Sequence, residues 1–125
     1  MIHHVSVGTN DIGRARAFYD AALPTIGLTL MKAMDEAGHY GSGHLLFSVQ
    51  VPIDGAPATV GNGSHVAFEA EDRPMVEAFY RAALANGGTS DGAPGVRAEY
   101  DSHYYAAFVR DPDGHKIEAF TLLSK

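Results

Sequence analysis

The sequence repeats itself at a spacing of 61 residues, and this repeat constrains the fold more than any other feature. The stretch AFYDAAL at residues 17–23 returns as AFYRAAL at residues 78–84. Four further pairs match at the same spacing: Asp11 and Asp72, Gly27 and Gly88, Phe47 and Phe108, and His4 and His65. A shared helix start, helix body, helix end and strand histidine indicate two copies of one unit of about 60 residues.

Each copy has the hydrophobic pattern of a strand, a helix and further strands. The elements predicted for the first copy are a strand at 2–7, a helix from an Asp11 cap to about Leu23, a strand at 28–34, a turn-rich connection or short strand at 38–43, and a strand at 45–51. Those predicted for the second copy are a strand at 64–69, a helix from an Asp72 cap to Gly87, a Gly/Pro-containing loop at 91–95, and a hairpin with its DPDG turn at 111–114. Each copy is therefore interpreted as a βαβββ module.

One module alone would be a marginal folding unit, so the two modules are predicted to pair around one core. This gives an α+β fold in a single domain, with module 1 at residues 1–55 and module 2 at residues 63–125. The segment between them is rich in glycine and proline, which suits an exposed linker. Because half-open sheets leave strand edges and apolar surface that a partner can cover, a homodimer is expected.

The composition narrows the possible partners and compartment. The 125 residues carry a formal net charge of −6, which argues against a nucleic-acid partner. No stretch is apolar enough to span a membrane, and the N-terminus has no signal-peptide pattern. The chain has no cysteine, which excludes disulfides, a thiolate nucleophile and a Cys-based zinc site. A cytoplasmic protein acting on a small molecule is the resulting expectation.

Three side chains form a candidate metal site. His4 and His65 occupy the same position in the first strand of each module, and their apolar neighbours would face the helix. The histidines would then point the other way, into the concavity of a curved sheet. Glu118 lies mid-strand between apolar neighbours, where a carboxylate is costly unless a positive group meets it. Two imidazoles and one carboxylate suit a single divalent ion with open positions, Fe(II), Mn(II), Ni(II) or Zn(II).

The other histidines and the aromatic residues give weaker signals. The remaining histidines are interpreted as surface or hydrogen-bonded residues, with His115 expected to be exposed: His3, His39, His44, His103 and His115. The side chains predicted to line a substrate pocket are Tyr40, Phe47, Tyr104, Tyr105 and Arg110. Ordinary core packing is the alternative for each aromatic residue, and it is favoured for Phe47.

Taken together, these residues resemble the vicinal-oxygen-chelate superfamily, which includes glyoxalase I, extradiol dioxygenases, fosfomycin-inactivating thiol transferases and bleomycin-resistance proteins. The motifs that carry the resemblance are HVSV at 4–7, Phe18-Tyr19, HVAF at 65–68, and DPDG at 111–114 before Ile117-Glu118. The resemblance implies paired βαβββ modules that form a U-shaped, cup-like sheet with the helices outside. It also implies that His4, His65 and Glu118 are the ligands of a divalent metal.

One departure from the family pattern bears on the reaction. Glyoxalase I has a fourth ligand, a glutamate on the last strand of the first module, that also transfers a proton. The corresponding residues 44–51, HLLFSVQV, contain no carboxylate, and the nearest acid is Asp54. Poor glyoxalase I activity is therefore expected. Extradiol dioxygenases are usually much longer chains, which counts against that branch.

Two functions of different class follow from the resemblance. The first is a small metal-dependent enzyme, a lyase or isomerase, dioxygenase or thiol transferase, whose substrate chelates the metal through adjacent oxygens. The alternative is a non-catalytic protein that sequesters an antibiotic or toxin, as bleomycin-resistance proteins do. A third interpretation is a structural or regulatory domain with vestigial ligands. Metal content separates the first from the other two.

Overall fold

The computed structural model describes residues 1–124, which form two four-stranded sheets and two α-helices. The elements of module 1 are β1 (Val5–Gly8), α1 (Ile12–Ala22), a 3₁₀ turn (Leu23–Ile26), β2 (Thr29–Met34), β3 (Ala37–Gly41) and β4 (Leu45–Gln50). The elements of module 2 are β5 (His65–Glu69), α2 (Arg73–Ala85), β6 (Thr89–Val96), β7 (Tyr105–Arg110) and β8 (Lys116–Thr121).

The two sheets have the same topology. Their strand orders are β1-β4-β3-β2 and β5-β8-β7-β6, and in each the first strand runs parallel to the last. The registers also correspond, since Ser6 pairs with Ser48, while its repeat counterpart Ala67 pairs with Glu118. The sequence match of Phe47 with Phe108 does not extend to the structure, because Phe47 lies in β4 and Phe108 in β7. The predicted α+β fold of paired βαβββ modules is confirmed.

The helices begin where the sequence predicts. The Asp11 carboxylate accepts a hydrogen bond from Arg14 N at 3.0 Å, and the Asp72 carboxylate accepts one from Met75 N at 2.9 Å. These side chains satisfy backbone donors that the first helical turn leaves without partners. Within the part of the chain described, neither helix is long and apolar enough to cross a membrane.

The core is shared by the two modules. Tyr19 and Phe47 are fully buried, and their ring centroids lie 4.9 Å apart. The Phe47 ring also meets Phe68 of module 2 edge to face at 5.4 Å. On the other side of the core, α2 buries Val76 and Phe79. Because aromatic residues from both modules occupy one cluster, the two units pack as one body.

The turn between β7 and β8 joins module 2 to the start of α1. Asp113, whose side chain is 3% exposed, accepts hydrogen bonds from the Thr9 hydroxyl at 2.5 Å and from Asn10 N at 3.0 Å. The Arg14 guanidinium lies 2.9 Å from the same carboxylate. These contacts, named here the inter-module clasp, fix the relative position of the two modules through charge-assisted hydrogen bonds.

Two further contacts lie beside the clasp. The Tyr19 hydroxyl donates to Asp111 at 2.5 Å inside the core, and burial raises the pKa of Tyr19 well above its usual value. His115 is 7% exposed, and its Nε2 lies 2.7 Å from the carbonyl oxygen of Gly8. The expectation that His115 is exposed is wrong, because the turn that precedes it packs against module 1.

Residues 91–95 correct another prediction. They belong to strand β6, which pairs antiparallel with β7, and do not form a loop. The strand is irregular, with register shifts on both sides of Gly92. β6 is an edge strand, so Pro94 costs no ladder hydrogen bond on its open side. Glycine and proline therefore mark a bulged edge here, which local composition does not distinguish from a loop.

Candidate functional site

Each sheet has one face packed against a helix and one face turned away from it, named here the open face. In module 2 the half-buried Val66 and the buried Ile117 pair across β5 and β8 on the helix side. Strand alternation puts His65, Glu118 and Phe108 on the opposite side, with Phe108 directly across from Glu118. The predicted ligand pair thus shares the open face of module 2.

Glu118 is the centre of this face. It is 3% exposed, although it lies mid-strand among apolar neighbours. His65 Nε2 lies 3.1 Å from Glu118 Oε1, and the Tyr104 hydroxyl donates to Glu118 Oε2 at 2.5 Å. Both carboxylate oxygens therefore have partners, as a buried acid requires.

Tyr104 forms one wall beside the carboxylate. Its ring stacks on Phe120 with centroids 4.9 Å apart and an interplanar angle of 2°. Burial raises the pKa of Tyr104, and the hydrogen bond to Glu118 raises it further. The phenol consequently stays protonated across the physiological range and remains a hydrogen-bond donor.

Positive side chains surround Phe108 on the same face. Lys116 Nζ lies 5.0 Å from the centroid of the Phe108 ring, and Arg97 Cζ lies 5.4 Å from it. Arg110 Nε donates to Asp91 at 3.1 Å and Lys116 Nζ lies 3.6 Å from the same carboxylate, so these two cations share one acidic partner. The open face of module 2 thus combines a buried carboxylate with cations that can meet an anionic group.

The His65 and Glu118 pair fits two ligands of one metal ion. Two donors that are each about 2.1 Å from an ion and at right angles lie about 3.0 Å apart, close to the separation of Nε2 and Oε1. The His65 side chain is 45% exposed, so the position beside it is accessible. A neutral imidazole and a buried carboxylate are also the donor types that Fe(II), Mn(II), Ni(II) and Zn(II) accept.

His4 lies apart from this pair. It precedes β1, is exposed, and its Nδ1 lies 2.9 Å from Nδ1 of His3. The His3 ring in turn has its centroid 5.4 Å from that of His44. Among residues 1–124, no group of three or more acidic or histidine side chains is close enough to hold one metal ion. One chain by itself therefore brings together two of the three predicted ligands.

The side chains predicted to line a pocket divide between the two faces. Tyr40 and Phe47 are 0% exposed on the helix side, where the Tyr40 hydroxyl donates to Asp20 at 2.7 Å. Tyr105 also faces that side, and its hydroxyl donates to Glu77 at 2.6 Å. Tyr104 and Arg110 share the open face with Glu118. Tyr104 directly precedes β7 and Tyr105 is its first residue, so extended backbone turns the two neighbouring side chains in opposite directions.

The open face of module 1 holds a pair that sequence analysis missed. Ser48, which is 2% exposed, lies mid-strand in β4, and its Oγ is 2.7 Å from His39 Nδ1. The two residues are direct partners across β3 and β4. His39 follows a glycine in a turn-rich stretch, so the sequence alone does not distinguish it from a surface histidine. The signal is the strand register, which sets it opposite Ser48.

Comparisons with known proteins agree with this architecture. Residues 1–119 match the family model described as the Glyoxalase/Bleomycin resistance protein/Dioxygenase superfamily. The chain is 26% identical over 122 residues to the metallothiol transferase FosB of Shouchella clausii, covering 96% of this chain and 79% of that protein.

Solved structures give the same result. A glyoxalase/bleomycin resistance protein from Albidiferax ferrireducens T118 is 42% identical and superposes with a TM-score of 0.87, covering 97% of this chain and 98% of that one. A glyoxalase I variant from Zea mays is 22% identical with a TM-score of 0.70, covering 95% of this chain and 46% of that one. At this lower identity, the second likeness concerns the fold alone.

Proposed function

Because the chain belongs to the glyoxalase/bleomycin resistance protein/dioxygenase superfamily, we propose that it is a small metal-dependent enzyme whose substrate binds the metal through adjacent oxygens. The observation that carries this proposal is the 3.1 Å approach of His65 Nε2 to the buried Glu118 carboxylate. The similarity to a metallothiol transferase supports a metal at this position.

The third ligand in this proposal is His4 from a second copy of the chain. His4 is exposed and belongs to the open side of module 1, while His65 and Glu118 belong to the open face of module 2. His4 and His65 are repeat counterparts, so facing modules related by an approximate twofold axis bring them together. A homodimer in which module 1 of one copy faces module 2 of the other then contains two complete sites.

The bound metal, one of Fe, Mn, Ni or Zn, would polarise the chelated oxygens and stabilise negative charge that develops on the substrate. The surrounding residues of this chain have separate roles. Tyr104 orients Glu118 by donating to it and, with Phe120, forms an apolar wall that excludes water. Lys116 and Arg97, beside Phe108, attract an anionic part of the substrate.

Metal analysis tests this function directly. Protein purified without a chelator or an affinity tag is expected to contain about one divalent ion per chain, measured by plasma mass spectrometry. His65→Gln should lose the ion, while His103→Gln, at an exposed histidine, should retain it. A metal-free parent protein that also fails to take up added Zn(II), Mn(II), Ni(II) or Fe(II) would favour the sequestering function instead.

The shared site has its own test, which mixes two inactive variants. His4→Gln and His65→Gln chains each lack one ligand, so neither homodimer contains a complete site. A mixed dimer regains one site, formed by His4 of the second variant with His65 and Glu118 of the first. Random exchange should restore metal to about a quarter of the sites. Recovery of no metal on mixing, with exchange of subunits verified by native mass spectrometry, would contradict a site shared between copies.

A further inference from the structure

We propose that His39, positioned by Ser48, is the base that accepts a proton from the substrate in this site. The inference rests on the proposed function, because it assumes that a metal-chelating substrate lies between the open faces of two modules. It also defines the substrate class, a small hydroxycarbonyl compound with an acidic C–H bond beside the chelating oxygens. His39 is then the catalytic residue and Ser48 the positioning residue.

The first argument is the symmetry of the strand registers. Ser6 pairs with Ser48 in module 1, and its repeat counterpart Ala67 pairs with Glu118 in module 2. Ser48 therefore occupies in module 1 the position that Glu118 occupies in module 2. When the two faces meet about an approximate twofold axis, Ser48 and its partner His39 lie across the site from the metal-binding carboxylate.

The second argument is the burial and hydrogen bonding of the pair. Ser48 is 2% exposed, so its hydroxyl needs a partner, and His39 Nδ1 at 2.7 Å is that partner. In residues 1–124 this is the one hydrogen bond made by the His39 ring. The proposal assigns the tautomer in which Nδ1–H donates to Ser48 Oγ, which leaves the lone pair of Nε2 free to accept a proton.

The third argument is the space in front of His39. The imidazole lines a cavity of about 720 Å³ on the open side of module 1. Its other walls include Met34, Val51 and Ile53, which are apolar, and the acids Asp35 and Glu36. Lys32 is the cross-strand neighbour of His39 on β2. Asp35, Glu36 and Lys32 are thus the charged residues that the cavity and the strand register place beside the ring.

The proposed step is balanced within the site. The C–H bond of the substrate breaks, its electron pair stays on the carbon next to the chelated carbonyl, and an N–H bond forms at Nε2 of His39. The imidazolium then returns a proton to the same carbon or to its neighbour. In the proposed tautomer Ser48 Oγ accepts from Nδ1–H and holds the ring orientation throughout. No oxidant or other co-reactant is required.

Hydrogen exchange into a small probe measures this step. Hydroxyacetone contains a CH₂ group between a hydroxyl and a carbonyl, and its exchange in D₂O is followed by proton NMR with zinc-loaded protein. His39→Gln is expected to lower the exchange rate by at least about 100-fold.

Matched variants separate a base from a structural residue. Ser48→Ala should slow exchange less than His39→Gln does, because the base remains but its orientation is lost. Ser48→Thr keeps the hydroxyl and should restore most of the rate. His103→Gln changes an exposed histidine and should leave the rate unchanged. All four variants should bind the same amount of zinc as the parent.

A readout that does not depend on activity tests the geometry. Long-range ¹H–¹⁵N NMR of the histidine rings should find the Nδ1–H tautomer of His39 in the parent and in Ser48→Thr, and its loss in Ser48→Ala. An Nε2–H tautomer in the parent would overturn the proposal, because Nε2 could not then accept the proton.

The outcomes also distinguish this inference from the function on which it rests. A parent protein that binds no zinc contradicts the metal-dependent function. A zinc-loaded parent that exchanges hydroxyacetone at the rate of His39→Gln, or that exchanges none, overturns the base while leaving the metal site intact. Exchange that requires His39, with zinc bound equally by parent and variant, supports both.

Discussion

The open faces of the two modules have the same strand framework but different chemistry. Module 2 presents Glu118, which contacts His65 and Tyr104. At the equivalent register position, module 1 presents Ser48, which contacts His39. One half of the molecule thus holds a carboxylate beside an imidazole and a phenol, and the other holds a hydroxyl beside an imidazole.

The helix sides of the same sheets differ much less. Phe18 and Phe79 are repeat counterparts, and both are fully buried. Packing in a dense core restricts side-chain volume, so the same aromatic residue serves both halves. The open faces do not have this restriction. The residues that repeat between the modules therefore account for the shared fold. The residues that differ between the modules account for the different chemistry of the two open faces.

The largest effect is expected where the two faces differ most. Glu118→Gln keeps the size of the side chain but removes its charge, and should lower zinc affinity by more than about 100-fold. Loss of an outer partner of a metal ligand already costs 10–100-fold, and Glu118 is proposed as a ligand itself. Isothermal titration with zinc measures the change. Glu69→Gln, an exposed acid at the end of β5 on the same face, is the matched control. Equal affinity in parent and Glu118→Gln would remove Glu118 from the site.

The second prediction concerns the inter-module clasp, in which the β7–β8 turn of module 2 contacts the start of α1 in module 1. Asp113→Ala should lower the free energy of unfolding by about 2–3 kcal/mol, because the Thr9 hydroxyl and Asn10 N lose a charged acceptor. The partly exposed Arg14 adds little to this cost. Urea denaturation measures the change, and the exposed Asp101→Ala is the control. A loss below about 0.5 kcal/mol would mean that the clasp does not hold the modules together.

Sequence patterns predicted the fold well because the signals for its elements lie within short stretches of sequence and occur in both modules. The Asp11 and Asp72 caps and the DPDG turn each act within a few residues. Hydrophobic alternation also predicted that Glu118 lies mid-strand between apolar neighbours, as it does in β8. The strand β6 was missed because Gly92 and Pro94 are typical of loops, and only pairing with β7 makes the segment a strand.

The candidate site was less accessible from sequence because its parts depend on contacts between distant residues. Tyr104 and Tyr105 are adjacent in sequence, and only their position at the start of β7 shows that their side chains lie on opposite faces of the sheet. The pairing of Ser48 with His39 depends on the register of β3 and β4. The arrangement of His4 with His65 and Glu118 stays a prediction, since it depends on a second copy of the chain.

The third prediction makes module 1 more like module 2. Ser48→Glu puts a carboxylate at the position equivalent to Glu118, so the shared site would gain a fourth ligand. Zinc affinity should rise by about 10-fold, and isomerisation of the methylglyoxal–glutathione hemithioacetal should rise from the weak activity expected of the parent. Calorimetry and thioester absorbance measure the two effects. Gln50→Glu, two residues further along the same strand and on the same face, should produce neither of these effects. Weaker zinc binding by Ser48→Glu would contradict the equivalence of the two positions.

The smallest effect is expected for Tyr104, whose hydroxyl donates to Glu118, the central residue of the open face of module 2. Burial, and then the hydrogen bond to Glu118, raise the pKa of Tyr104 above its ordinary value of 10.0. Because the pKa of Tyr104 is higher in the folded state than in the unfolded state, the stabilisation that its protonated hydroxyl provides is fully present below pH 10. This stabilisation is lost as the pH rises through the folded-state pKa. Tyr104→Phe should therefore be less stable than the parent at pH 8 by about 1 kcal/mol, and this difference should shrink between pH 10 and 12.

Tyr100→Phe, at an exposed neighbouring ring, should show no such convergence. Urea denaturation across this pH range measures both differences. If the difference in free energy of unfolding between parent and Tyr104→Phe stays constant to pH 12, the Tyr104 hydroxyl does not stabilise the fold by donating to Glu118. The contrast between the two open faces would then depend on Glu118 and His65 alone.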